Sequence, residues 1–460
     1  MSGSRMTGLM LSSPQHRPLR HAHGAVLIVV TWIVLVLAAL ALVFARAMRV
    51  ELIASANHVA AMQADSIARA ALQYVCSQLD GTDGLASPAA EMSCEAVQVG
   101  DGYFWLLAPS LEDDQVYAFG IRDEAARVNL NTATREMLLK LPDMTAEMAA
   151  AIVDWRDSDD EVSPGGAESE YYLLLDDPYY SKNAPFETLE ELLLVRNASI
   201  ELLLGEDRNR NGVLDANEND GDAGDPPDDR DGRLDRGLLP YLTVFSREPN
   251  QTSAGEARVN VNDPDDRALE QLLEDALDSP RAVEVMALIR GERPFRNLVD
   301  FYLRTRLTAA EFAKVADGIT ASRERVLAGL VNVSTAPREV LLCLPELEEG
   351  DVTELLARRG APDTDLSTIA WVADALPREK AVAIGDLITC RSFQYSVDIV
   401  AVSGDGRAFR RYLAVVDAAA SAPRVIRWTD LTPLGWPLDP ALLADLRAGQ
   451  APAASTVIGG

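Results

Sequence analysis

Residues 25–45 read AVLIVVTWIVLVLAALALVFA, with no charge and one non-aromatic polar side chain, Thr31. About 20 such residues, coiled as a helix, cross the hydrocarbon core of a bilayer. A secretory signal core is shorter, roughly 7–15 residues, and ends at a small-residue cleavage site. Here the chain runs on as Arg46-Ala-Met-Arg49. Beyond it Met48, Leu52, Val59, Met62, Ile67, Ala71 and Val75 recur near helical spacing, and Arg49, Glu51, Asp65 and Arg69 take the wet side. Asp80-Gly81 stops the pattern. The prediction is one helix of roughly 80 Å, half membrane-embedded and half amphipathic.

Short strand-like runs follow at Tyr103–Leu107 and Val116–Phe119, joined through a polar turn at Pro109, Ser110 and Asp113. Near the other end, Phe393–Val402, Gly404-Asp-Gly406 and Ala408–Val416 predict a hairpin. Strands at both ends of a helical middle predict one sheet interrupted by an insertion. The stretch from Ala418 on, rich in Ala, Pro and Ser, predicts a loosely ordered tail.

The middle repeats itself. Val128-Asn-Leu-Asn-Thr-Ala-Thr-Arg-Glu-Met-Leu-Leu-Lys-Leu-Pro142 returns as Val331-Asn-Val-Ser-Thr-Ala-Pro-Arg-Glu-Val-Leu-Leu-Cys-Leu-Pro345, with a weaker echo from Val259 to Pro264. Asn131, Ser334 and Asn262 sit where a helix cap is expected; Leu138, Leu141 and Leu342 face a core, and Pro142 or Pro345 ends the helix. Pro185-Phe-Glu-Thr-Leu-Glu-Glu-Leu192 is matched by Pro294-Phe-Arg-Asn-Leu-Val-Asp-Phe301. The result is a helical hairpin module used at least twice, similar to helix-hairpin-helix and SAM-like domains. Their DNA-binding members carry Gly in the hairpin; this chain has Asp143 and Glu346 there. That acid, with a net charge of −29, argues against nucleic acid.

Four cysteines, Cys76, Cys94, Cys343 and Cys390, permit three pairings, of which Cys76–Cys94 and Cys343–Cys390 are suggested by spacing. Three of the four histidines precede the apolar run, leaving His58 after it. No G-x-S-x-G, HExxH or P-loop occurs, so nothing points to an enzyme.

The sharpest chemical signal is Asp207-Arg-Asn-Arg-Asn-Gly-Val-Leu-Asp-Ala-Asn-Glu218. Asp207, Asn209, Asn211, Val213 (through its carbonyl), Asp215 and Glu218 fall at positions 1, 3, 5, 7, 9 and 12 of a calcium loop, with Gly212 at the sharp turn. An all-oxygen, flexible set of this kind suits Ca²⁺. Twenty residues on, Asp229, Asp231, Gly232 and Asp235 repeat part of the pattern, with Pro227 and Leu238 in place of the first and last ligands. A second ion there needs ligands borrowed from elsewhere, with Asp222, Asp225 and Asp228 as candidates. Asp157, Asp159 and Asp160 read as a solvated turn.

The 24 residues before the apolar run carry Arg5, Arg17 and Arg20 and no acid. A basic leader stays cytoplasmic, so the chain beyond Ala45 is expected on the far side of the membrane. A leader ending in Gly24 directly before an apolar helix resembles the signal of type IV pilins and pseudopilins, which implies cleavage by prepilin peptidase between Gly24 and Ala25. That family usually has Glu at mature position five, where this chain has Val29.

Asp123-Glu-Ala-Ala-Arg-Val-Asn-Leu-Asn131, Asp154-Trp155, Gly166-Ala-Glu168, Tyr171-Tyr172, Asn183-Ala-Pro-Phe186, Pro240-Tyr-Leu-Thr-Val244 and Val331-Asn-Val-Ser-Thr335, taken with the leader and the calcium loop, resemble the protein K family of minor pseudopilins in type II secretion. The resemblance implies an α/β (α+β) fold: a pilin-like long helix on a small antiparallel sheet, with a mostly helical domain inserted in the sheet. The expected organisation is a leader over 1–24, a transmembrane helix over 25–45, helix and first strands over 46–127, an insert over 128–384 with two SAM-like repeats and the calcium loop, closing strands over 385–417, and the tail over 418–460. It also implies Ca²⁺, a single pass through the bacterial inner membrane with the bulk in the periplasm, and minor pseudopilins I and J as partners at the pseudopilus tip. There the complex helps start pseudopilus assembly for export of folded proteins. A tip subunit has no neighbour above it whose buried amine needs a carboxylate, which accommodates Val29. The other readings are a minor pilin of a type IV pilus, a membrane-anchored helix-hairpin-helix DNA-uptake protein, and a membrane-anchored calcium-dependent enzyme.

Overall fold

The computed structural model describes residues 23–85, 92–420, 422–452 and 456–457, so the expected leader lies outside it apart from His23 and Gly24. The chain divides into two units, residues 1–59 and 60–460. One helix, α1 (His23–Leu79), contributes to both. In the first unit its apolar side chains are exposed on all sides, and it is long and apolar enough to cross a membrane.

In the second unit α1 presents Ala64, Ala68, Ala71, Val75 and Leu79, each fully buried. They lie against a sheet whose order across the page is Arg424–Asp430, Phe409–Asp417, Gln394–Val402, β2 (Gly102–Leu107), β1 (Val97–Val99) and Thr456–Val457. All neighbours are antiparallel except β1 with Thr456–Val457. β2 shows why the pattern there is a continuous apolar run. Phe104 and Leu106 meet α1, while Tyr103, Trp105 and Leu107 point to the opposite face. A strand covered on both faces has no polar side to alternate with.

The cover on that opposite face comes from the expected loose tail. Arg424–Asp430 is a strand, and the helix Pro440–Arg447 brings Leu446, with Leu438 and Trp436, onto Trp105 and Val402. Its Ala/Pro/Ser-rich start hides a segment in which Trp436, Leu438 and Leu446 pack on the sheet. The expected strand over Val116–Phe119 is reduced to a single bridge between Leu107 and Phe119, because Gln394–Val402 takes the edge of β2.

Between β2 and Gln394–Val402 the chain builds one module three times, where two repeats were expected. Each copy opens on a Val-Asn pair and closes on a parallel apolar–Thr pair: Val128–Asn129 with Leu242–Thr243, Val259–Asn260 with Ile319–Thr320, and Val331–Asn332 with Ile388–Thr389. Ile388–Thr389 thus belongs to the third repeat, and the sheet resumes only at Gln394. The strand Asn folds over the turn, Asn129, Asn260 and Asn332 each accepting the amide two residues on at 2.8–2.9 Å. The second helix of each copy supplies an arginine that returns to the same turn: Arg156 to the Leu130 and Ala133 carbonyls, Arg293 to Val261, Arg359 to Val333 and Ala336. Those carbonyls precede the helix and have no partner within it.

Asn131 and Asn262 are not helix caps. Each makes a reciprocal pair with a distant peptide group: Asn131 with the Phe186 amide (2.7 Å) and carbonyl (3.0 Å), Asn262 with those of Phe295 (2.8 and 2.9 Å). A carboxamide both donates and accepts, so it matches a whole peptide group, whereas a cap needs an acceptor only. Thr134 caps the first helix instead, accepting from Met137. Ser334, a lone hydroxyl, makes no such pair and reaches only the Leu366 carbonyl, at 3.5 Å. Copies one and three share a core containing Leu138, Trp155, Val340, Leu341 and Trp371, and copy two has its own around Leu273, Ile289, Phe301 and Phe312. At the hairpin tips Asp143 and Glu346 adopt φ of 52° and 60°, the left-handed conformation that favours glycine.

Candidate metal centres

The loop Asp207–Glu218 folds around its own acidic groups. Asp207 accepts the amides of Asn211 (2.9 Å) and Gly212 (3.0 Å), and Asn211 accepts that of Val213 (2.7 Å). Gly212, at φ 72°, makes the turn. The carboxamides of Asn209 and Asn211 converge on Asp215 Oδ2 at 2.6 and 3.0 Å, so positions 3, 5 and 9 meet at one point. Glu218, 1% exposed, closes the loop: one carboxylate oxygen accepts the Asp215 amide at 3.1 Å, and the other is buried without a partner. Burial holds the Asp207 carboxyl above its usual range and pushes Glu218 up to about 8. A buried oxygen that lacks a partner, in an all-oxygen set, is what a calcium ion would satisfy. Asp207, Asn209, Asn211, the Val213 carbonyl, Asp215 and Glu218 therefore fit the ion.

The loop is fastened to the sheet. Arg411, on Phe409–Asp417, donates to the carbonyls of Asn209 (2.5 Å) and Arg210 (2.9 Å). It is held in place by Asp398 on the neighbouring strand.

The second loop copies the first in backbone only. Arg210 and Arg230 share φ of 58°, and Gly212 and Gly232 lie at 72° and 78°. Asp231 and Arg233 amides are received by Asp229 and Asp231 as their counterparts are in the first loop. Asp114 joins the two, its carbonyl taking the Leu214 amide at 2.8 Å and its carboxylate the Leu234 amide at 2.9 Å. Asp229, Asp231 and Asp235, however, are exposed. Of the ligands expected to be borrowed, Asp228 already receives the amides of Asp220, Gly221 and Arg230. Glu206 is the carboxylate that faces this loop, accepting the Asp235 amide at 3.1 Å.

A further cluster lies where a solvated turn was expected. One oxygen each of Asp154, Asp157 and Glu168 falls within 4.8 Å of the others. Asp154 and Glu168 are 0% and 1% exposed. Asp154 Oδ1, Asp157 Oδ1, both oxygens of Glu168 and the adjacent Ser181 hydroxyl are buried without partners. Burial, then Asp154 and Asp157, push Glu168 up to about 7. Glu168 lies fourteen positions after Asp154, beside the packing of Trp155 against Tyr172 and Tyr179; no spacing rule announces such a set.

The four cysteines are free thiols in place of the two expected disulfides. Cys94 and Cys76 pack in the core beneath the sheet, and Cys343 and Cys390 in the shared core of repeats one and three. Gly24 and Ala25 lie in the first turns of α1.

Helix α1 on an antiparallel sheet, with a helical domain inserted between two adjacent strands of that sheet, defines a pilin-like α+β protein. Residues 120–204, which run from the sheet through most of the first repeat, match the family model for the type II secretion system (T2SS), protein K. A chain of the GspK–GspI–GspJ complex from the enterotoxigenic Escherichia coli type 2 secretion system aligns with 83% of this chain and 98% of its own length, at 12% identity and a TM-score of 0.41. No curated protein matches.

Proposed function

We propose that the chain is a minor pseudopilin of a type II secretion system, anchored by α1 in the inner membrane with the second unit in the periplasm. The observation that carries this reading is the protein K match over residues 120–204. In this reading the chain is cut by prepilin peptidase between Gly24 and Ala25 and joins minor pseudopilins I and J at the pseudopilus tip. It acts as a structural subunit, not an enzyme, and contacts no nucleic acid. Three repeats inserted between two strands make a bulky head, which suits a subunit with nothing stacked above it.

Calcium, in this reading, occupies the Asp207–Glu218 loop and the Asp154, Asp157 and Glu168 cluster, whose unpartnered buried oxygens support it. Asp229, Asp231 and Asp235 form a weaker, open site. The test is co-purification of the chain from Arg46 onward with I- and J-type pseudopilin domains, with Ca²⁺ or a chelator. A ternary complex in Ca²⁺ is expected, and its absence in both conditions refutes the tip assignment. Amino-terminal sequencing should begin at Ala25, and Gly24→Ala should abolish that start.

A further inference from the structure

In a chain of net charge −29, arginines gather at one cavity. It measures about 630 Å³ and opens where the sheet, the calcium loop and repeats one and three meet. Arg122, Arg127, Arg210, Arg236, Arg338 and Arg359 line it. Three of these have carboxylate partners: Arg127 with Glu124, Arg210 with Glu190 and Arg338 with Glu349. The other three do not. Arg359 and Arg236 donate only to backbone carbonyls, so neither has an ion-pair partner. Arg122, among the described residues, makes no side-chain hydrogen bond and no ion pair; burial, and the like charge of Arg127, push its guanidinium down to about 10 against the opposing pull of Asp398, Asp207 and Glu124.

The carboxylates in the wall do not offset this. Asp123 is spent on the hydroxyls of Thr335 and Ser392 and on the Ala125 amide. Asp207 is spent on the loop amides already described. Glu112 and Glu339 remain against three unpaired guanidinia. A half-buried guanidinium without a carboxylate partner is open to an anion, and its fork matches the two oxygens of a carboxylate or the face of a tetrahedral anion. The volume is that of a small-ligand pocket and far exceeds a single water.

We propose that this cavity binds an oxyanionic ligand, a carboxylate or a sulfate-like group, on the Arg122 guanidinium, with Arg236 and Arg359 supplying the surrounding charge. The site borders the Asp207–Glu218 loop, whose Asp207 lies in its wall. Isothermal titration of the full chain in detergent at low salt, with sulfate and with succinate as probes, tests it. Saturable one-to-one binding of one or both is expected, weakened at least about tenfold by Arg122→Gln and less by Arg122→Lys, which keeps the charge but loses the fork. Sulfate alone identifies a tetrahedral ligand, and succinate alone a carboxylate. Arg407→Gln, at the exposed hairpin turn, should bind as the wild type. Because Arg122→Gln could impair folding, the unmodified protein supplies a second readout: phenylglyoxal labelling followed by mass spectrometry, in which the bound probe should slow labelling of Arg122 but not of Arg407. Failure of both probes to bind, or labelling of Arg122 at an unchanged rate, overturns the proposal.

Discussion

Arg411 grips Asp398 through two nitrogens, Nε to Oδ1 at 3.0 Å and Nη2 to Oδ2 at 2.6 Å, with the arginine side chain 0% exposed. The same guanidinium holds the carbonyls of Asn209 and Arg210, so one side chain ties two sheet strands to the calcium loop. Removing one member of a buried pair strands the other charge. Arg411→Leu is therefore expected to cost about 3–5 kcal/mol in urea unfolding and to weaken calcium binding as well. Arg411→Lys keeps the charge but cannot span both strands and loop, and should fall between. Equal stability of Arg411→Leu and the wild type would refute the role.

Glu218 gives a cleaner separation of metal from fold. Its unpartnered oxygen is a liability without an ion and a ligand with one. Calcium at a hundred times its dissociation constant should raise stability by about 2.7 kcal/mol per site. In Glu218→Gln the calcium-dependent rise in Tm should shrink by the share of that site, while the Tm in chelator stays level or climbs. A fall in chelator alone would mean that the carboxylate is structural.

The two carboxamide pairs make a matched experiment. Asn131→Ala and Asn262→Ala each delete two hydrogen bonds to a peptide group 33 or more residues away. Each should cost about 2 kcal/mol. Hydrogen exchange should then place the loss from Asn262→Ala in the second repeat's core and that from Asn131→Ala in the core shared by repeats one and three.

Acid should loosen the second repeat. Glu311 is paired with Arg281 and caps its own helix through the Thr308 amide, and these bonds hold its carboxyl down to about 2 from an ordinary 4.5. A depressed carboxylate stabilises above its unfolded pKa, and that contribution is lost as pH falls through 4.5 toward 2. With the pair partly solvated, the loss should be about 1 kcal/mol. Glu311→Gln should flatten the pH dependence across this window in urea melts.

Much of this was legible before folding. The apolar run, the hairpin at Gly404-Asp-Gly406 and the repeated Val-Asn and Pro-Phe phrases carry periodicity or identity that survives reading in one dimension. What the Pro-Phe phrase does was not legible, because Asn131 meets Phe186 across 55 residues and nothing local marks the pairing. The second repeat was faint because its opening phrase departs from the other two after Asn262, where Asp263-Pro264 replaces their Thr-Ala. The tail was misread because a strand of Arg, Trp and Thr gains its order from Phe409–Asp417 beside it, not from its own composition. The Asp154 cluster was invisible for a related reason: in an acidic chain, nothing but packing says which carboxylates turn inward.

β2 and Gln394–Val402 are neighbours in the sheet, yet Leu107 faces a residue about 290 positions further along the chain. During synthesis or export the amino-terminal strands must therefore wait, with apolar faces unmet, until the whole helical head and the final strands have emerged. The repeats close through pairs 57 to 114 residues apart, far nearer than β2 and its partner, and can form first, which brings the two ends of the insert together and reduces the entropy that the last pairing must overcome. The head is in this sense a scaffold for its own sheet, and a lesion in any repeat should delay the strands as well as the head.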